Sequence, residues 1–150
     1  MKLKVPPALL FIVFVLIMRV TDQLFSFEII ASPYQQMVAY IVFGVGVIIG
    51  LLGVFEFRRR STTVNPHKPE NTSELVTSGI YQISRNPMYL GLLIGLVAVA
   101  IRLGNVSSML LLPVFVWYMN VFQIKPEEEV MEEKFGQNFI RYMNCTRRWI

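Results

Sequence analysis

Reactive and cross-linking side chains are scarce in this sequence. It holds one cysteine, Cys145, and one histidine, His67, and only 16% of its residues are charged. A lone cysteine cannot close an intrachain disulfide, so the fold leans on no oxidising compartment. With no histidine near it in sequence, Cys145 reads as a bystander thiol rather than a nucleophile. The single histidine also argues against a multi-ligand zinc or di-iron site. The strict alternation of barrel strands is missing as well. So is a small-residue cleavage site behind the first apolar run, where Arg19, Thr21, Asp22 and Gln23 follow instead. That run is expected to be a retained span and not a removable signal.

Apolar sequence is what the chain has in abundance. At 150 residues the length predicts one domain, residues 1–150, and a 54% hydrophobic content marks a membrane protein. Runs of helix length fall at about residues 5–20, 36–55, 88–103 and 106–124, which predicts an all-α integral membrane fold with about four transmembrane helices. At 1.5 Å per residue the third run reaches about 24 Å, short for a hydrocarbon core of about 30 Å. It therefore needs protein around it, or a thinned bilayer. Only Leu103, Gly104 and Asn105 separate the third and fourth runs, which predicts a tight hairpin. Gly44, Gly46, Gly50 and Gly53 run through the second span and Gly91 and Gly95 through the third, spacings that let helix backbones approach closely in lipid.

Basic residues give the direction. With the N-terminus in the cytoplasm, only Arg19 and Arg102 of the 14 lysines and arginines lie on the far side. Both termini, a connection over residues 58–86 and a tail over residues 125–150 are then cytoplasmic, as in a protein of an inner or cytoplasmic membrane. A sequence pI near 9.4 reflects this positive-inside bias and not a nucleic-acid groove.

The connection is too long for a turn. Arg58, Arg59 and Arg60 suit anchoring to anionic lipid, while Leu75, Val76, Ile80, Tyr81 and Ile83 predict that its second half packs on the spans. Asn86 and Pro87 read as a helix start, Asn86 as cap and Pro87 at the first helical position, with Arg85 beside them. Such a start offers free N–H groups and a positive dipole end, a place for a carboxylate; lipid contact by Arg85 and simple capping by Asn86 is the bland alternative. In the tail, Pro126 reads as another start, followed by Glu127, Glu128 and Glu129. Val130, Met131, Phe135, Phe139, Tyr142 and Met143 then recur at helical spacing, predicting a cytoplasmic amphipathic helix interrupted near Gly136. Several carboxylates beside an anionic leaflet suit a cationic ligand better than plain membrane anchoring.

These two segments resemble the isoprenylcysteine carboxyl methyltransferase and phospholipid methyltransferase superfamily. The residues that carry the likeness are Gly79, Tyr81, Ser84-Arg85-Asn86-Pro87-Met88-Tyr89 and Gly91, then Glu127-Glu128, Phe135-Gly136, Phe139, Tyr142 and Arg148-Trp149. Thr62-Thr63-Val64-Asn65-Pro66 looks like the short bacterial members. The likeness covers the chain from about Phe57 onward, and the first two spans only by hydropathy. Two departures stand out: the family's commoner Arg-His-Pro is Arg85-Asn86-Pro87 here, which removes a possible base, and the chain is shorter than the eukaryotic enzymes.

The resemblance implies methyl transfer from S-adenosylmethionine, held on the cytoplasmic side of the helices, to a small or lipophilic carboxylate, amine or thiol arriving from the lipid bilayer. On that basis Tyr81, Arg85, Asn86, Pro87, Met88, Tyr89, Gly91, Glu127 and Glu128 are the expected cofactor-binding residues, and Arg85 and Glu128 the expected catalytic ones. Arg85 and the N–H groups after Asn86 would hold the cofactor's carboxylate. Glu127 or Glu128 would take its ammonium or ribose hydroxyls, and Tyr81 and Tyr89 its adenine or sulfonium. Two other readings stay open at this stage: a non-enzymatic membrane assembly or lipid-binding protein, and a nicotinamide-dependent membrane reductase using Arg141, Arg147 and Arg148.

Overall fold

Local chemistry sets where each apolar run starts and stops. The structure, a computed structural model, describes residues 5–25, 32–59 and 75–150, and among these every regular element is helical. Helix α1 spans Pro7–Leu24 and α2 spans Gln35–Arg59. A 3₁₀ turn at Gly79–Gln82 leads into α3, Pro87–Leu103. Pro87 occupies the first turn of α3, where its missing N–H costs nothing. Gly104, in the left-handed conformation at φ 67°, closes α3, and Asn105 caps α4, Val106–Tyr118, by accepting from the Ser107 N–H. Thr62–Pro66, His67 and Arg60 lie outside the described residues.

Among the described residues three stretches, Pro7–Leu24, Gln35–Arg59 and Val106–Phe135, are long and apolar enough to cross a membrane, the last with its apolar part ending before Lys125. Helix α3 is a shorter apolar helix of 17 residues, and it is the one most enclosed by protein, lying against α1, α2 and α4. Its neighbours provide the cover its length requires. Leu10, Phe14 and Met18 of α1, Tyr89 and Leu96 of α3 and Phe115 of α4 form one core, with Phe14 and Phe115 edge to face at 5.2 Å. Against α2 the packing is closer still. A Cβ at Gly91 would lie 2.6 Å from the Gly46 carbonyl oxygen and 2.9 Å from the Gly50 nitrogen, so the two helices cross backbone to backbone. Away from the site, Asn105 donates to Asp22, and Gln35 donates to the Ile101 carbonyl at 2.7 Å, tying the ends of α1, α2 and α3 together.

The tail departs from expectation at Pro126. No new helix starts there: α4 continues through a π-helical turn, Met119–Ile124, into α5, Lys125–Phe135. The Lys125 N–H reaches back to the Asn120 carbonyl, five residues away, and the widened turn absorbs the ladder bond that Pro126 cannot make. Glu127 and Glu128 therefore stand inside a 30-residue helical run, and the stabilisation of acidic residues at a free helix start does not apply to them. The interruption at Gly136 is present: its φ of 52° ends α5, and α6 follows at Gln137–Cys145. Of the apolar residues expected to pack in the long connection, Val76 and Tyr81 are buried, whereas Ile83 is exposed.

Candidate functional site

The N-terminal end of α3, the 3₁₀ turn and the stretch from Gln123 to Glu128 meet at one end of the bundle. Tyr89, one turn into α3, is buried and donates its hydroxyl to Glu127 at 2.6 Å; Gln123 donates to the same oxygen at 2.6 Å. The π turn brings this about, because it rotates Gln123 and Glu127 onto the face that meets α3. Glu127 keeps some exposed surface, but its carboxylate is enclosed. Burial pushes that carboxyl up to about 7, against the two hydrogen bonds, which favour the charged form.

Beside this pair, Tyr81 packs its ring on Phe57 at 5.3 Å, and its carbonyl accepts from the Tyr142 hydroxyl at 2.7 Å. Its own hydroxyl is buried and, among the described residues, has no hydrogen-bond partner. Burial holds that hydroxyl well above the ordinary tyrosine range, with Tyr142, Glu127 and Glu56 adding to the effect. A buried phenol without a partner is costly unless something else satisfies it.

Arg85 and Glu128 face each other at 2.6 Å, and Arg148 grips the other side of the same carboxylate at 2.6 Å. Burial alone would raise the Glu128 carboxyl, but the hydrogen bonds from Arg148 and Arg85 outweigh it and hold it below its usual range. The other terminal nitrogen of Arg85 donates to the Met143 and Thr146 carbonyls at 2.9 and 2.6 Å. Arg85 thus fastens the tail to the α3 entrance and is largely used up in doing so. Asn86 sits at the cap position of α3, yet its side chain makes no capping bond. It donates instead to the Arg148 carbonyl at 3.1 Å, which also accepts from Ser84. The capping role expected for Asn86 is therefore replaced by a tail contact, because the chain folds back over the entrance and offers a nearer acceptor.

The expected residues thus fall into two groups. Tyr81, Tyr89 and Glu127 form a polar cluster, and Arg85, Asn86 and Glu128 form the clasp that frames it. Pro87 is buried at the helix start, and Met88 and Gly91 face α2, where Met88 lies against Gly53. Gln123 and Glu56 were not among the expected residues. Glu56, on α2, is 7% exposed and accepts from the Ser78 hydroxyl. The one signal for it in the sequence was an acidic residue inside an otherwise apolar run, two positions before the arginines.

The chain is similar to known proteins. Residues 34–138 match the family model described as phospholipid methyltransferase. An uncharacterised protein of Haemophilus influenzae is 43% identical over 63 residues, 42% of this chain and all of that protein. Protein-S-isoprenylcysteine O-methyltransferase B of Arabidopsis thaliana is 32% identical over 97 residues, 65% of this chain and 49% of the relative, so the chain spans about half that enzyme's length. A probable protein-S-isoprenylcysteine O-methyltransferase of Oryza sativa subsp. indica is 26% identical over 129 residues, 86% of this chain and 68% of the relative. No solved structure matches the chain.

Proposed function

Because the chain belongs to the phospholipid methyltransferase family, we propose that it transfers a methyl group from S-adenosylmethionine to a lipophilic or small acceptor at the cytoplasmic face of a membrane. The observation that carries this reading is the polar cluster of Tyr81, Tyr89, Gln123 and Glu127, which contains a buried hydroxyl with no partner among the described residues. The cluster suits an adenosine-bearing cation: aromatic faces for a ring or a sulfonium, a carboxylate for ribose hydroxyls, and one hydroxyl awaiting a partner. When bound, the cofactor supplies a methyl group on a good sulfonium leaving group.

The chain's own residues then bind, orient and exclude water. Tyr81 and Tyr89 flank the cofactor, and Glu127, fixed by Tyr89 and Gln123, accepts from its ribose. Arg85, Glu128 and Arg148 act on the reaction by position, holding the tail over the entrance. The acceptor is a nucleophile that needs no base from the Arg85-Asn86-Pro87 corner: a carboxylate, a thiolate or a deprotonated amine. The plant relatives are named for O-methyl transfer to protein S-isoprenylcysteine. Four helices cross the bilayer in this reading, α3 as the short inner one, with the site and both termini in the cytoplasm.

Titration of the detergent-purified protein with S-adenosylhomocysteine tests the site. Micromolar binding is expected, weakened about tenfold by Glu127→Gln and also by Tyr81→Phe. Tyr81→Phe separates binding from folding, since losing a partnerless hydroxyl leaves thermal stability unchanged or higher. Folded protein that gives neither heat nor thermal stabilisation with the ligand would refute the reading.

A further inference from the structure

A second feature of this end of the bundle is not used by the cluster above. A cavity of about 370 Å³ lies between the end of α2 and the 3₁₀ turn, lined by Glu56, Arg59, Ser78 and Gly79, at the lower end of the range for small-ligand pockets, about 300–1,000 Å³. Glu56 and Arg59 are three residues apart on α2, hence on one face. They carry opposite charges into the same space, yet among the described residues neither forms an ion pair. A carboxylate as buried as Glu56 ordinarily has a cationic partner. Among the described residues only the Ser78 hydroxyl donates to it, at one oxygen. The other oxygen faces Gly79, where a Cβ would lie 2.9 Å away; a side chain there would fill the space in front of it. Gly79 also has φ 59°, a conformation glycine adopts without strain.

We infer that this cavity is the seat of an α-aminocarboxylate, with Glu56 taking the ammonium and Arg59 at the rim taking the carboxylate, and that the group is the methionine-derived tail of the methyl donor. The assignment rests on the methyltransferase reading above. Three observations support it. First, the charges are complementary and, among the described residues, neither is taken up in an ion pair, as a zwitterion requires. Second, the guanidinium otherwise suited to the tail's carboxylate, Arg85, is committed to Glu128 and two carbonyls. Third, the cavity adjoins the polar cluster: Gly79 of its lining and Tyr81 share one 3₁₀ turn, and the Tyr81 ring packs at 5.3 Å on Phe57, the residue after Glu56. One elongated ligand thus spans from Glu127 past Tyr81 to Glu56.

Two ligands separate the tail from the rest of the molecule. S-Adenosylhomocysteine carries the aminocarboxylate, whereas 5′-methylthioadenosine keeps the nucleoside and thioether without it. Calorimetric titration of the full chain in detergent is expected to show tighter binding of the first. Glu56→Gln, which still accepts from Ser78, and Arg59→Ala, at the exposed end of α2, each weaken S-adenosylhomocysteine about tenfold and leave 5′-methylthioadenosine within about twofold. Arg59→Ala guards against a folding defect at the buried position. Variants that bind S-adenosylhomocysteine as the wild type does, or that lose both ligands alike, overturn the assignment. A wild-type protein that binds neither ligand overturns the methyltransferase reading itself, and this assignment with it.

Discussion

The backbone crossing of α2 and α3 makes a sharp quantitative prediction when Gly91→Ala is compared with Gly44→Ala. Both changes place a methyl group in a helix interior, and both gain the same intrinsic preference for alanine, about 1 kcal/mol. They differ in what the methyl meets. At Gly44 nothing lies within 4 Å, whereas at Gly91 the new carbon would sit 2.6 Å from the Gly46 oxygen, 2.9 Å from the Gly50 nitrogen and 3.0 Å from its Cα. All three are backbone atoms, so no side chain can swing away. Restoring an ordinary contact of about 3.4 Å requires the helices to part by roughly 0.8 Å, which forfeits a quarter to a half of the dispersion energy along the seam. Overpacking of this kind costs about 1–3 kcal/mol. Because the alanine preference cancels in the comparison, Gly91→Ala is expected to be less stable than Gly44→Ala by about that amount. Thermal unfolding in one detergent measures the gap, on the order of 2–4 °C per kcal/mol for a chain of this size. Equal melting temperatures would refute the close crossing.

Stability should also depend on pH through Glu127. Its carboxyl is raised from 4.5 to about 7 in the folded protein, so the native state holds more protons than the unfolded chain in that window. Stability therefore falls as pH rises from about 4.5 to about 7 and levels off above. Glu127→Gln should remove that slope, and an unchanged profile in thermal unfolding would contradict the burial described. At the clasp, Arg85→Ala removes one of the two guanidinium partners of Glu128 together with the bonds to the Met143 and Thr146 carbonyls, and should cost about 3 kcal/mol. Arg148 is more exposed, with 36% of its side chain accessible, and its removal should cost about 1 kcal/mol; equal losses for the two in thermal unfolding would rule out the asymmetry.

Hydropathy located the helices because membrane-crossing segments must satisfy their backbone internally and so show up as long apolar runs. Pro87 and Gly136 were legible as punctuation for a similar reason: each acts through its own backbone, at the first turn of α3 and at a φ of 52°. Pro126 misled because its effect depends on what precedes it. A π turn beginning seven residues earlier takes up the missing bond, and nothing in the residues Met119–Ile124 announces that turn. Asn86 misled by competition, since a capping side chain can be claimed by a distant acceptor that no local pattern reveals. The pairings of Tyr89 with Glu127 and of Arg85 with Glu128 bring together residues 38 and 43 positions apart. Their types were legible as a set, their partners only in three dimensions. Glu56 stayed hidden because an acid beside three arginines reads as part of a charged membrane edge, whereas its surroundings depend on Ser78, 22 residues later.

The folded-back tail has a consequence for how the site comes into being. The Arg85 N–H bonds to the Arg147 carbonyl, and Asn86 reaches across 62 residues to that of Arg148. A chain cut after α6 would retain every apolar helix, and so all that partitioning into the bilayer requires, but its α3 entrance would lack the bonds to the Thr146, Arg147 and Arg148 carbonyls. Insertion and assembly of the site are thus separable events. The first is governed by hydrophobicity and completed helix by helix; the second waits on a few polar contacts that arrive last.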